Sequence, residues 1–182
     1  MINFISDLTQ GQTIVILLRL IIPLLILWRP LSGSIIAMLL DAFDVVIVEF
    51  FGPGGMGDYY HNIDKILDLY YLSLQAFVAW SWTDRRIRLV ALALFFYRLI
   101  GVIVFEITGW RPTMFIFPNL FEHWFLFILI RERFFPGIKL DSWKRIAGWL
   151  VILYIPKVVQ EYVLHVAQAQ PWGWIKDQLG LC

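Results

Sequence analysis

Long apolar runs alternate with short polar breaks along the whole chain. Because a helix needs about 20 apolar residues to cross the hydrocarbon layer of a bilayer, the pattern predicts six transmembrane helices. Their predicted bounds are 13–28, 34–51, 63–82, 89–108, 113–130 and 146–166. Glycine and proline mark most of the breaks, as expected for residues that interrupt helices. We therefore predict an all-α fold, a polytopic six-helix membrane bundle that forms a single membrane domain over residues 1–182.

The composition supports a membrane location. Hydrophobic residues make up 60% of the chain and charged residues 16%, whereas soluble domains have about 45–50% and about 25%. The net charge of +1 gives no reason to expect nucleic acid as a partner. The single cysteine, Cys182, excludes an intrachain disulfide and a cysteine-based metal site. We expect an integral protein of the inner (cell) membrane with membrane lipid as its partner, and a homodimer is one assembly to consider.

The basic residues in the loops predict an orientation. The loops after the first, third and fifth predicted spans hold one, three and five lysine or arginine residues, namely Arg29; Arg85, Arg86 and Arg88; and Arg131, Arg133, Lys139, Lys144 and Arg145. The opposite side has only Arg111 and Lys176. Because cytoplasmic loops are rich in lysine and arginine, these three loops are predicted to face the cytoplasm.

Four aspartates interrupt the second and third apolar runs. Asp41 and Asp44 are three residues apart, and Asp64 and Asp68 are four apart, so each pair lies on one face of its helix. A short loop joins the two predicted helices, which makes them antiparallel neighbours. All four carboxylates can therefore converge at one depth near a membrane surface.

Four clustered carboxylates repel one another strongly where water is scarce. Arg19 and Lys65 cannot neutralise them all, so either some carboxylates are protonated or divalent cations lie between them. Oxygen ligands favour Mg²⁺ or Mn²⁺, with Ca²⁺ as an alternative. The same residues could instead relay protons, bind Na⁺ or form salt bridges to other helices.

The order of these aspartates resembles the signature of the CDP-alcohol phosphatidyltransferases, D-x-x-D-G-x-x-A-R followed by G-x-x-x-D-x-x-x-D. The chain has Asp41-Ala-Phe-Asp44-Val-Val-Ile-Val-Glu49 and later Tyr60-His-Asn-Ile-Asp64-Lys-Ile-Leu-Asp68, with a gap two residues longer than in the family. Its first apolar run, Thr13 to Pro23 with Arg19, is similar to the family's T-L-x-R-L-x-x-x-P run.

The resemblance implies a metal-dependent membrane enzyme that displaces CMP from a CDP-linked donor with an alcohol. It implies that Asp41, Asp44, Asp64 and Asp68 hold metal and that Asp68 is also the catalytic base. The chain departs from the family where small or basic residues are expected: Val45 and Val48 replace a glycine and an alanine, and Glu49 replaces the arginine. The chain thus retains the aspartates that bind metal in the family but not the residues that accommodate the nucleotide.

Further polar residues in the apolar runs are candidates for substrate binding or for a second site. We assign four of them to the substrate: Glu49, Lys65, Arg98 and Lys157. Four others could form a second metal site, although interhelical hydrogen bonds and ion pairs are the favoured interpretation: Glu122, His123, Glu161 and His165.

These features favour a metal-dependent phosphotransferase that moves a phosphate-linked group to or from a lipid alcohol. Its partners would be a phosphate-linked lipid or a nucleotide-linked donor. Two other classes stay open. One is a catalytically degenerate relative that binds lipid or serves as a subunit of a membrane complex. The other is an ion- or proton-coupled transporter that uses the same carboxylates.

Overall fold

A computed structural model of the chain describes residues 9–51, 57–110 and 112–162, and these residues are mostly helical and form no strand. The helices are α1 Gln10–Ile21, a 3₁₀ helix Ile22–Leu27, α2 Pro30–Phe51, α3 Gly57–Trp80, α4 Arg85–Thr108, α5 Pro112–Ile116, α6 Leu120–Phe134 and α7 Trp143–Glu161. The all-α prediction is confirmed for these residues. They fall into two compact units, 9–74 and 75–162, and the prediction of a single membrane domain stays a prediction.

The first unit begins with a strongly capped helix. Thr9 Oγ1 accepts a hydrogen bond from the Gln12 backbone N–H at 3.2 Å, and Gln12 Oε1 accepts one from the Thr9 N–H at 3.0 Å. This reciprocal capping box fixes the start of α1. Near its other end Pro23 has no N–H to donate, and the chain tightens into the 3₁₀ helix.

Close backbone contact holds α1 against α2. A Cβ built on Gly11 would lie 2.4 Å from the carbonyl oxygen of Val48, so only glycine allows this approach. Val15 and Val48 are fully buried and form the apolar core beside it. Small residues at such a contact are typical of helices that pack inside a membrane.

Two tyrosines join α3 to the preceding elements. The Tyr70 hydroxyl donates to the Leu20 carbonyl in α1 at 3.0 Å. The Tyr71 hydroxyl donates to the Ser34 carbonyl in α2 at 3.4 Å. These bonds place the middle of α3 alongside both α1 and α2.

The second unit is built around an aromatic core. Phe121, Trp124 and Phe125 on α6 are fully buried, and the ring of Trp82 stacks on that of Phe125 with centroids 5.4 Å apart. Trp124 donates from Nε1 to the Ile87 carbonyl on α4 at 3.4 Å. These contacts hold α6 against α4 and against the residues that precede α4.

The segment predicted as a span over 113–130 does not form one continuous helix, because it divides into α5 and α6. The chain leaves the helical conformation at residues 117–119, between α5 and α6. Pro118 is the physical reason, because it lacks an N–H and disfavours a helical conformation at the residue before it. The Arg98 guanidinium donates to the Phe117 carbonyl at 2.9 Å and the Tyr97 hydroxyl to the Ile116 carbonyl at 2.8 Å. These side chains satisfy carbonyls that the break exposes.

Two of the described segments are long and apolar enough to cross a bilayer, Gln10–Leu27 and Arg85–Thr108. Among the other helices, α6 has only 15 residues, and α2, α3 and α7 each carry several ionisable residues. The six crossings therefore stay a prediction. One observation favours contact with lipid or a partner: Phe96, Ile100, Ile103 and Ile107 form an exposed apolar stripe along α4.

Candidate functional site: an aspartate cluster around Arg19

Arg19 lies on the face of α1 that packs into the first unit. It follows Gln12 and Val15 on the same helical face, and all three residues are buried. It is also the only charged residue between Gln10 and Leu27. A buried charge in so apolar a segment requires partners, and the structure supplies four.

The Arg19 guanidinium forms ion pairs with all four aspartates of α2 and α3. Its Nη1 lies 2.8 Å from Asp44 Oδ2, and its Nη2 lies 2.5 Å from Asp68 Oδ1. Asp41 and Asp64 are paired with the same guanidinium. The structure thus brings together the four carboxylates that the sequence analysis placed at one site.

Helical spacing explains this convergence. Asp41 and Asp44 lie one turn apart on α2, and Asp64 and Asp68 lie one turn apart on α3. Each pair therefore presents two carboxylates in the same direction. The guanidinium, which has five N–H donors in one plane, occupies the space where the two pairs meet.

The site is closed at one end and open at the other. The side chain of Asp44 is 6% exposed and that of Arg19 is 5% exposed. The side chains of Asp41 and Asp68 are 46% and 40% exposed. Small ions can therefore reach the outer carboxylates from the surface of the first unit.

Negative charge exceeds positive charge at this site. One guanidinium faces four carboxylates, which leaves three formal negative charges when all are ionised. Counting Lys65, next to Asp64 in the sequence, still leaves two. Such an excess in a partly buried site favours the uptake of further cations, either protons or metal ions.

The spacing of the oxygens suits a divalent cation. One carboxylate oxygen from each of Asp41, Asp44 and Asp64 lies within 4.8 Å of the others. Opposite ligands of Ca²⁺ are about 4.6–5.2 Å apart and those of Mg²⁺ about 4.2 Å, given their usual bond lengths. Three carboxylate oxygens this close together could share one divalent cation, either Ca²⁺, Mg²⁺ or Mn²⁺, if the guanidinium moved aside.

A narrow cleft adjoins the cluster. Arg19 and Asp41 form its polar side, and its other lining residues are Pro23, Ala37, Leu40, Leu67 and Tyr71. With a volume of about 10 Å³, this cleft has room for about one water molecule and not for a larger ligand.

The residues assigned to substrate binding are divided between the two units. Lys65 lies on α3 between Asp64 and Asp68. Arg98 and Lys157 belong to the second unit, where Arg98 donates to the Phe117 carbonyl and Lys157 is buried on α7. The side chain of Glu49 lies outside the described residues. Their roles toward a substrate stay predictions.

The residues considered for a second metal site are only partly described. Glu122 Oε2 accepts a hydrogen bond from Asn119 Nδ2 at 3.2 Å. This bond is local to the start of α6, so the favoured interpretation of interhelical hydrogen bonds and ion pairs stays a prediction. His123 lies next to Glu122 on α6. The side chain of Glu161 and the whole of His165 lie outside the described residues.

Sequence reasoning missed the central position of Arg19. The signal was available, because a single charge within 18 otherwise uncharged residues must be paired if that segment is buried.

Comparison of the chain with protein-family models, curated proteins and solved structures finds no match. The functional argument therefore depends on the site itself.

Proposed function

We propose that this chain is a six-span protein of the inner membrane that binds divalent cations at the aspartate cluster. With these cations it would act as a phosphotransferase on a phosphate-linked lipid. The observation that carries the proposal is the convergence of Asp41, Asp44, Asp64 and Asp68 in a site with a net negative charge.

Membrane embedding is supported by the surface of the described residues. Two segments have the length and composition of membrane spans. Large apolar side chains are exposed along several helices, including Phe77, Ile107 and Ile155. Exposed apolar surface of this kind is unfavourable in water, whereas lipid solvates it at no cost.

The roles of the aspartates follow from their positions and from the family resemblance. Asp41, Asp44 and Asp64 would hold the metal, and Asp68, which is partly exposed at the mouth of the site, would accept the proton of an attacking alcohol. The bound metal would stabilise the charge on the phosphate during displacement. Mg²⁺ or Mn²⁺ is the expected ion, with Ca²⁺ as the alternative.

Arg19 has a second task in this scheme. When cations occupy the carboxylates, its guanidinium is released from some of its four partners and can bind a phosphate oxygen, for which its planar set of donors is suited.

One observation favours a second candidate function. Arg19 already contacts all four carboxylates, so the cluster could be a purely structural ion-pair network. The chain would then be a catalytically degenerate lipid-binding protein or a subunit of a membrane complex. The two candidates differ in whether the cluster binds metal.

Mn²⁺ binding to the full chain in detergent micelles, followed by electron paramagnetic resonance, tests the proposal. We expect binding by the wild type, and we expect Asp44→Asn and Asp64→Asn to weaken it at least tenfold. Glu132→Gln is the control, because it removes an exposed carboxylate of the second unit. Wild-type protein without Mn²⁺ affinity, or aspartate variants that bind as well as Glu132→Gln, would favour the structural network.

Turnover can then be tested with a CDP-linked lipid and with other phosphate-linked lipids as donors. Because Val45, Val48 and Glu49 depart from the nucleotide-binding part of the family pattern, we expect a CDP-linked lipid to be the poorer donor. Metal binding without turnover of any phosphate-linked lipid would refute the enzymatic part of the proposal and leave the cation site.

A further inference from the structure

A groove of about 650 Å³ lies in the second unit where the loop between α6 and α7 meets the start of α7. Its walls include Ile138 and Lys139 from the loop and Arg145, Gly148, Trp149 and Ile152 from α7. The groove shares no residue with the aspartate cluster, and none of its residues was assigned a function from the sequence.

The loop that forms one wall is held in place at several points. Arg131 on α6 donates from Nε to the Ile138 carbonyl at 2.7 Å, and Arg86 on α4 donates to the Asp141 carbonyl. Leu140, between these two anchored residues, is buried. The groove is therefore a preformed feature of the second unit.

One end of the groove is positively charged. Lys139 is exposed and has no hydrogen bond or ion pair with any residue that the structure describes. Arg145 pairs with Asp141 at 2.9 Å and 3.1 Å, but both side chains are more than half exposed. An exposed pair of this kind contributes little, so Arg145 can exchange Asp141 for another anion. Five basic and two acidic residues between 131 and 145 add a favourable field for anions.

The other end of the groove is apolar. Gly148 leaves open space, since a Cβ at this position would meet no atom within 4 Å. Trp149 forms a firm wall because its ring packs on Phe127 with centroids 4.7 Å apart. The apolar surface continues along α7, because Ile152 and Ile155 are exposed on the same side of the helix.

We propose that this groove binds an anionic phospholipid. Its phosphate would lie between Lys139 and Arg145, and an acyl chain would follow Gly148, Ile152 and Ile155 along α7. Charge complementarity selects an anionic head group, and the adjoining apolar stripe selects a lipid over a free phosphate. The inference requires the membrane embedding proposed above but not the cation site. It agrees with the predicted cytoplasmic position of this loop, because the cytoplasmic leaflet carries anionic lipid.

Tryptophan quenching by brominated lipids tests this proposal on the full chain reconstituted in vesicles. The part of the quenching that is lost in Trp149→Phe reports lipid in the groove. We expect this part to show at least a fivefold preference for brominated phosphatidylglycerol over brominated phosphatidylcholine. Quenching of the remaining tryptophans by either lipid reports membrane insertion separately, so failure of the embedding and failure of the groove proposal are distinguishable.

Two variants and one matched control identify the site. Lys139→Gln with Arg145→Gln should abolish the preference, since each basic residue near a membrane surface contributes about a fivefold effect. Gly148→Leu should reduce the Trp149-dependent quenching, because its side chain would occupy the part of the groove beside Trp149. Arg133→Gln with Lys144→Gln removes the same two residue types outside the groove and should retain at least half of the preference.

Three results would overturn the proposal. The first is a wild-type protein that inserts but shows no preference for the anionic lipid at Trp149. The second is an equal loss of preference in the groove variant and in its charge-matched control, which would indicate general surface electrostatics. The third is loss of the preference in millimolar inorganic phosphate at constant ionic strength, which would indicate a site for free phosphate.

Discussion

Replacing Arg19 with glutamine removes the guanidinium that pairs with all four carboxylates of the site. We expect this variant to be strongly destabilised when divalent cations are chelated and to recover most of its stability when they are added. The reason is that the carboxylates then depend on an external cation for the neutralisation that Arg19 provides in the wild type.

The magnitude follows from the geometry of three of the carboxylates. At an effective dielectric constant of about 20, charges about 4 Å apart interact by about 4 kcal/mol and charges about 5 Å apart by about 3 kcal/mol. The attraction of Arg19 to Asp41, Asp44 and Asp64 is then about 12 kcal/mol, and the mutual repulsion of these carboxylates is about 9 kcal/mol. The repulsion is this large because the carboxylate oxygens lie within 4.8 Å of one another. It therefore cancels most of the attraction to Arg19.

Without Arg19 the repulsion is uncompensated, and the site must take up protons or cations or move apart. Removal of one partner from a buried ion pair typically costs about 3–5 kcal/mol after such relaxation. We expect a loss of this size for Arg19→Gln in a chelator. Millimolar Mn²⁺ should restore at least half of it, and Mn²⁺ should bind this variant more tightly than the wild type because no guanidinium competes.

The assay is denaturant unfolding of the full chain in micelles, with chelator and with Mn²⁺. Arg133→Gln serves as the control, because Arg133 is exposed on α6 and should change stability by less than about 0.5 kcal/mol. An Arg19→Gln variant as stable as the wild type in chelator would refute the electrostatic reasoning. A destabilised variant that Mn²⁺ does not rescue would retain the ion-pair network but contradict the cation site.

Three further predictions concern packing and pH. Gly11→Ala should lower the free energy of unfolding by about 1–3 kcal/mol, because the added Cβ would collide with the Val48 carbonyl. Gly148→Ala should not lower it, because a Cβ at this position meets open space. Denaturant unfolding of both variants tests this prediction. Trp124→Ala should cost about 3–5 kcal/mol in the same assay because the side chain is fully buried, and the exposed Phe96→Ala should cost far less. Mn²⁺ affinity, measured by titration calorimetry, should fall as the pH is lowered, since protons compete for the same carboxylates; an affinity independent of pH would contradict carboxylate ligation.

Local spacing made much of the candidate site predictable. Residues three or four apart on a helix share a face whatever the rest of the fold does, so the pairing of Asp41 with Asp44 and of Asp64 with Asp68 could be inferred directly. The short connection between α2 and α3 then limited how far apart the two pairs could be. Their convergence required only these two facts.

The parts that the sequence analysis missed depend on packing between elements. Arg19 could be recognised as a charge in an apolar helix, but its position at the centre of the cluster depends on the close contact of Gly11 with Val48. The break at Pro118 was open to prediction from the chemistry of proline, yet the continuous apolar composition on both sides concealed it. The lipid groove is formed by a loop that two arginines fix, Arg86 and Arg131, and no local pattern indicates such contacts.

Anomalous diffraction from crystals of the full chain soaked in Mn²⁺ tests the cation site most directly. The account predicts a peak among the carboxylates of Asp41, Asp44, Asp64 and Asp68, with the Arg19 guanidinium moved away from at least one of them. Crystals with no peak at this position, and with Arg19 still bound to all four carboxylates at a saturating Mn²⁺ concentration, would contradict it.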